Sequence, residues 1–94
     1  MSVYRVTEFT SPKPQSIEAA LEAITDMVAK AGAEMIDVVM MDGGKGLVIA
    51  RYGSEAIMNA ATPVHQEAFG ALVADGVIDG TSISSRSGET AFSF

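Results

Sequence analysis

The segments at residues 34–42 and 46–52 most constrain the fold, because both are apolar on the two sides of any strand they form. Side chains alternate between the two faces of a strand. In the first segment one face carries Ile36, Val38 and Met40 and the other carries Met35, Val39 and Met41, with Asp37 as its sole charge. The second segment sets Val48 and Ala50 against Leu47 and Ile49. Both faces of this hairpin therefore need cover from water.

The chain has only two amphipathic helical segments, at residues 17–31 and 55–75, which can cover just one face of a four-stranded sheet. Such a face measures about 400 Å². Pairing two of them removes about 800 Å² from water, or roughly 20 kcal/mol gross. Association costs something like 4 to 15 kcal/mol. The balance favours a homodimer.

Turn and cap residues give the element order strand–helix–strand–strand–helix–strand. Strands are predicted at residues 3–10, 34–42, 46–52 and 81–86, with a short terminal strand over 90–94. Asp42-Gly43-Gly44-Lys45 favours a tight hairpin rather than a phosphate loop, since it joins two strands. Ser54 is the predicted cap of the second helix. Pro63 either kinks that helix or restarts it with Thr62 as a new cap.

Composition restricts the class of protein. A chain of 94 residues without an internal linker is a single domain, 1–94. Twelve acidic residues against 6 basic ones disfavour nucleic acid as a partner. Without cysteine and with one histidine, no metal site or other cofactor is expected. The sequence shows neither a signal peptide pattern nor a membrane span, so a cytoplasmic protein is expected.

The order and two-sided apolar strands of these elements resemble the dimeric α/β-barrel proteins of ferredoxin-like fold. The resemblance covers nearly the whole chain and implies an α+β βαββαβ fold, with a four-stranded antiparallel sheet and two helices on one face. Two such sheets would face each other around a pocket. That superfamily includes antibiotic-biosynthesis monooxygenases without cofactors and stress-responsive barrel proteins. No catalytic motif of one subfamily is matched, so no catalytic residue is assigned.

Candidate binding residues come from the strands and from the second helix. A hairpin loop of three or five residues would make Asp37 and Arg51 cross-strand neighbours in the pocket between the sheets, whereas an even loop would separate them. Met35 and Val39 would then supply apolar wall. A structural ion pair is the competing interpretation.

His65 lies in the apolar sector of the second helix and could carry protons near neutral pH, or be a hydrogen-bonded core residue. Tyr52 could line a cleft, as could Tyr4, Arg5, Glu8 and Arg86, although the facing of the first strand is not predicted. Packing or surface roles are the alternative for each of them.

Three functions fit this sequence. The first is a homodimer that binds a small apolar or aromatic molecule between its sheets. The second is a monooxygenase or isomerase without a cofactor that acts on an aromatic or quinol-like substrate. The third is a structural or regulatory dimer without a ligand. A lined cavity would favour the first two over the third.

Overall fold

Four strands form one antiparallel sheet. The computed structural model describes residues 2–94. The strands are β1 (Val3–Thr10), β2 (Met35–Met40), β3 (Lys45–Tyr52) and β4 (Ser84–Glu89), in the sheet order β2–β3–β1–β4. Every neighbouring pair is antiparallel. The predicted βαββαβ order and sheet are confirmed.

The hairpin between β2 and β3 has the predicted tight turn. Its loop is the short 3-10 turn Asp42–Gly44, in which Gly43 and Gly44 have φ angles of 78° and 75°. These values lie in the left-handed region that glycine enters without a steric penalty. The loop has three residues, and its centre is Gly43, which fixes the register of the whole hairpin.

The first helical segment is broken instead of continuous. It consists of α1 (Ile17–Ala23), α2 (Thr25–Val28) and a 3-10 turn over Ala29–Ala31, with Ile24 at the break. The hydroxyl of Thr25 donates to the Leu21 carbonyl at 3.3 Å, and the Ile24 amide donates to the same carbonyl at 3.2 Å. A threonine that bonds back in this way competes with the helical pattern and bends the helix.

The second helical segment restarts near Pro63, one of the two predicted outcomes. It comprises α3 (Glu55–Ala60) and α4 (Thr62–Ala74). Ser54 caps α3, as predicted, by accepting a hydrogen bond from the Ile57 amide at 3.2 Å. The cap of α4 is Ala61 and not the predicted Thr62, whose hydroxyl accepts a hydrogen bond from Arg5.

The C-terminal strand lies three residues later than predicted. Asp79 caps a 3-10 turn over Gly80–Ser82 through the Thr81 amide, and this turn occupies the predicted start of the strand. Residues 87–89 belong to β4 and pair with β1. The predicted strand over residues 90–94 is absent. Among residues 2–94, no helix is both long and apolar enough to cross a membrane.

All four helices pack on one face of the sheet, and the buried core divides into two clusters. One cluster surrounds Phe9, Ile17 and Phe69, and the other surrounds Val3, Tyr52 and Met58. The opposite, helix-free face carries apolar side chains toward solvent. Its most exposed members are Val39 at 42% and Met41 at 48%. β2 and β3 are thus apolar on both faces, as predicted, and the helices cover one of these faces.

Candidate functional site

A cavity of about 220 Å³ lies between the helices and the sheet. Its wall residues come from both core clusters. Three polar residues line it: Thr25, Tyr52 and His65. The apolar lining residues are Leu21, Ile24, Val28, Ala31, Ile36, Val38, Val48, Ala50, Val64, Ala68, Phe69 and Leu72. The break at Ile24 and the small alanine side chains leave room that larger residues on a straight helix would fill.

His65 is the residue of the cavity wall whose side chain can exchange a proton near neutral pH. It lies on the first turn of α4, half-buried, and its ring contacts Phe69 at a centroid distance of 4.8 Å. Burial lowers the pKa of His65, and the positive charge of Arg5 lowers it further. The imidazole is therefore neutral at pH 7, with one nitrogen that donates and one that accepts.

Next to His65, a pair of hydroxyl groups links β1 to β4. The Oγ1 atom of Thr7 and the Oγ atom of Ser85 are 2.8 Å apart, and Ser85 Oγ lies 3.4 Å from His65 Nε2. Thr7 is only 1% exposed, whereas Ser85 is exposed. The sheet register sets Thr7 directly opposite Ser85, so the backbone fixes this pair.

Arg5 supplies a buried positive charge next to the same site. Its Nη2 atom donates to the Met58 carbonyl at 3.2 Å and to the Thr62 hydroxyl at 3.0 Å, so it ties the junction of α3 and α4 to the sheet. Its Cζ atom lies 5.9 Å from the ring centroid of Tyr52. The Nη1 atom is buried and has no hydrogen-bond partner among residues 2–94.

The structure separates the six predicted binding residues into two groups. Tyr52 and His65 line the cavity under the helices. Met35, Asp37, Val39 and Arg51 lie on the helix-free face, as the β2–β3 register shows, and do not contribute to this cavity. A pocket between two sheets requires a second chain and stays a prediction.

The expected pairing of Asp37 with Arg51 is wrong. The hairpin loop has the required odd length, but its centre at Gly43 places Asp37 opposite Ile49 and Arg51 opposite Met35. The two charged residues lie on the same face, but the residue opposite Arg51 is two positions away from Asp37. Arg51 instead has its Nε atom 3.6 Å from Oε1 of Glu34. Both side chains of this ion pair are partly exposed, so water and salt weaken it.

Sequence reasoning missed the roles of Thr7, Ser85 and Thr62, and it left the facing of Arg5 open. The structure places Arg5 on the helix side and Tyr4 and Glu8 on the other side of β1, with Arg86 also on the helix-free face. No group of three acidic, histidine or cysteine residues in the described part of the chain is arranged to hold a metal ion.

The sequence matches no protein-family model and no curated protein. Solved structures, in contrast, match over nearly the full length. SnoaB from Streptomyces nogalater, described as a cofactor-independent oxygenase, is 15% identical with a TM-score of 0.74, covering 98% of this chain and 95% of SnoaB. Rv0793 from Mycobacterium tuberculosis is 20% identical with a TM-score of 0.70, covering 99% and 98%.

A third structure names the fold. It is a dimeric ferredoxin-like protein of unknown function from Thermobifida fusca, 16% identical with a TM-score of 0.68 over 96% of this chain and 92% of that one. The present chain has a ferredoxin-like fold. This confirms the fold predicted from element order. At these identities the ferredoxin-like likeness establishes architecture and leaves the reaction to the site itself.

Proposed function

We propose that this protein is a homodimeric domain that binds a small apolar or aromatic molecule in the cavity beneath its helices. The cavity carries the proposal: it has twelve apolar lining residues and three polar ones. A concave, mostly apolar space with a few polar groups is the usual form of a small-molecule site. A purely structural domain would be more stable with this space filled by side chains, since an unfilled cavity lowers stability.

The volume limits the size of the ligand. An apolar cavity of about 150 Å³ binds benzene. The cavity here, at about 220 Å³, is larger by roughly half. One aromatic ring with a short substituent fits inside, and a larger molecule would have to extend beyond the cavity.

Toluene is a direct probe of this function. We expect toluene to raise the melting temperature of the wild-type protein, because a ligand that binds only the folded state stabilises it. Ala68→Leu adds three carbon atoms to the cavity wall and should abolish the shift. Ala74→Leu makes the same change at an exposed position of α4 and should retain it. Equal shifts in both variants would place toluene elsewhere and contradict the proposal.

The proposed dimer uses the helix-free face of the sheet. Val39 and Met41 are its most exposed apolar side chains. Ile49 is on the same face of β3, the strand that lies between β1 and β2. Large apolar patches on soluble proteins mark interaction sites. All four predicted binding residues on this face, Met35, Asp37, Val39 and Arg51, would lie at the interface.

The molar mass in solution tests the dimer. Light scattering at micromolar concentration should give twice the chain mass. Ile49→Lys should give a monomer, because it buries a charge at the interface. Ala74→Lys, on the exposed side of α4, should remain dimeric. A monomeric wild-type protein would refute the interface.

His65 favours a second candidate function, a cofactor-independent oxygenase. A neutral imidazole in a cavity wall can accept the hydroxyl proton of a quinol-type substrate, and the resulting anion can react with dioxygen. SnoaB, which shares the fold, is described as such an oxygenase. Oxygen uptake with hydroquinone, lost in His65→Gln, would support this reaction. Equal uptake in both proteins would remove His65 from it.

A further inference from the structure

The Thr7–Ser85 pair lies next to Nε2 of His65, one of the two ring nitrogens that can carry the proton of a neutral imidazole. The Thr7 hydroxyl is buried, and Ser85 Oγ is its single hydrogen-bond partner among residues 2–94. A buried hydroxyl hydrogen without an acceptor is costly, while an oxygen can leave one lone pair unused. Thr7 is therefore the donor and Ser85 the acceptor in this 2.8 Å contact.

The hydroxyl hydrogen of Ser85 then has His65 Nε2 as its acceptor within the protein, at 3.4 Å. A hydroxyl that accepts one hydrogen bond becomes a better donor in the next, so a chain from Thr7 through Ser85 to His65 reinforces itself. In a neutral ring with an accepting Nε2, the proton is on Nδ1. Ser85 acts here as a positioning residue.

The remaining nitrogen is the one available to a ligand. The cavity wall comes from the helical segments, β2 and β3, and none of its residues is on β4, where Nε2 has its partner. His65 Nδ1 has no hydrogen bond within the described chain. We infer that Ser85, held by Thr7, fixes His65 as the Nδ1–H tautomer, so that the cavity presents a donor and takes an apolar molecule bearing an acceptor oxygen, such as an aromatic carboxylate.

The charge around the site agrees with this ligand class. Arg5 lies close enough to lower the pKa of His65, and its positive potential favours a ligand with negative charge. The inference rests on the proposed binding function and differs from the oxygenase candidate. A base that takes a proton from a substrate needs an unprotonated nitrogen facing the cavity, which is the opposite tautomer.

The single histidine of the chain makes the tautomer measurable without assignment ambiguity. A long-range proton–nitrogen NMR spectrum at neutral pH should show Nδ1 protonated and Nε2 bare. In Ser85→Ala the pKa of His65 should rise, because the neutral ring loses a donor. Ser85→Thr should restore the wild-type value, and Ser84→Ala, on the other face of β4, should not change it. A ring protonated at Nε2, or a pKa that stays unchanged or falls in Ser85→Ala, overturns the inference.

Ligand preference is tested separately with three probes of similar size. Toluene reports the cavity alone, so its failure to bind refutes the proposed function while the spectrum still decides the tautomer. If toluene binds, benzoate should bind about tenfold more tightly than benzylamine, since a hydrogen bond to a charged group contributes on the order of 1.4 kcal/mol or more. Benzylamine that binds as tightly as benzoate overturns the inference and leaves the binding function intact.

Discussion

Gly46 on β3 allows the ring of Phe9 to lie directly against the sheet. A Cβ atom added at Gly46 would be 2.2 Å from Cζ and 2.5 Å from Cε2 of Phe9. Carbon atoms in contact prefer a separation of about 3.5 Å, so the ring would have to move by about 1.3 Å. Phe9 is only 4% exposed and packs edge-on against Phe69, whose ring contacts His65.

The expected cost of Gly46→Ala follows from this contact. Overpacking a filled core costs about 1–3 kcal/mol. Alanine recovers about 0.5–1 kcal/mol over glycine in a strand, because it loses less backbone entropy on folding. The net destabilisation is on the order of 1–2 kcal/mol, and at about 4–8 °C per kcal/mol for a domain of this size the melting temperature should fall by roughly 5–15 °C.

Gly70→Ala is the matched control for this prediction. Gly70 is exposed in the middle of α4, and an added Cβ would meet nothing within 4 Å. The same chemical change should therefore stabilise the protein by about 0.5–1 kcal/mol. Thermal unfolding of the two variants beside the wild type measures both effects. A melting temperature for Gly46→Ala at or above that of the wild type would refute the described packing of Phe9.

Three further predictions concern His65, Arg5 and Ser54. Because the folded-state pKa of His65 lies below its ordinary value of 6.5, the unfolded chain binds more protons, and the free energy of unfolding should fall as the pH decreases below about 6.5; urea titrations should show a weaker decrease in His65→Gln. Arg5→Met should raise the pKa of His65 in an NMR pH titration, since it removes the neighbouring positive charge; an unchanged value would show that burial acts alone. Ser54→Ala should cost about 1 kcal/mol in chemical denaturation through loss of the α3 cap, and no loss would contradict the hydrogen bond to the Ile57 amide.

The sequence predicts the sheet well because its signals are local. The apolar runs of β2 and β3, the glycines of the hairpin and the Ser54 cap each depend on neighbours within a few residues. The break at Ile24 also has a local cause, the hydroxyl of Thr25, but an apolar period that continues through the break conceals it. The late start of β4 follows from the cap that Asp79 provides to the preceding 3-10 turn. Nothing in the sequence distinguishes this aspartate from others in loops.

The site is less predictable because its contacts join distant parts of the chain. Thr7 and Ser85 are 78 positions apart, and Arg5 and Thr62 are 57 apart. Neither pair has a spacing or motif that marks it. The register error for Asp37 has a different origin. A change of one residue in the centre of a turn shifts the pairing by two positions, and the sequence Asp42-Gly43-Gly44-Lys45 permits either centre.

Strand β3 contributes side chains both to the cavity and to the helix-free face of the sheet. Ala50 and Tyr52 form part of the cavity wall, while Ile49 and Arg51 alternate with them on the face that a second copy would cover. Because successive side chains of a strand point to opposite faces, a movement of the β3 backbone moves the side chains on both faces. If a ligand in the cavity shifts β3, the shift must also change the opposite face of the sheet. The ligand would then change the affinity between two chains. By thermodynamic reciprocity, dimerisation would change the affinity for the ligand by the same factor.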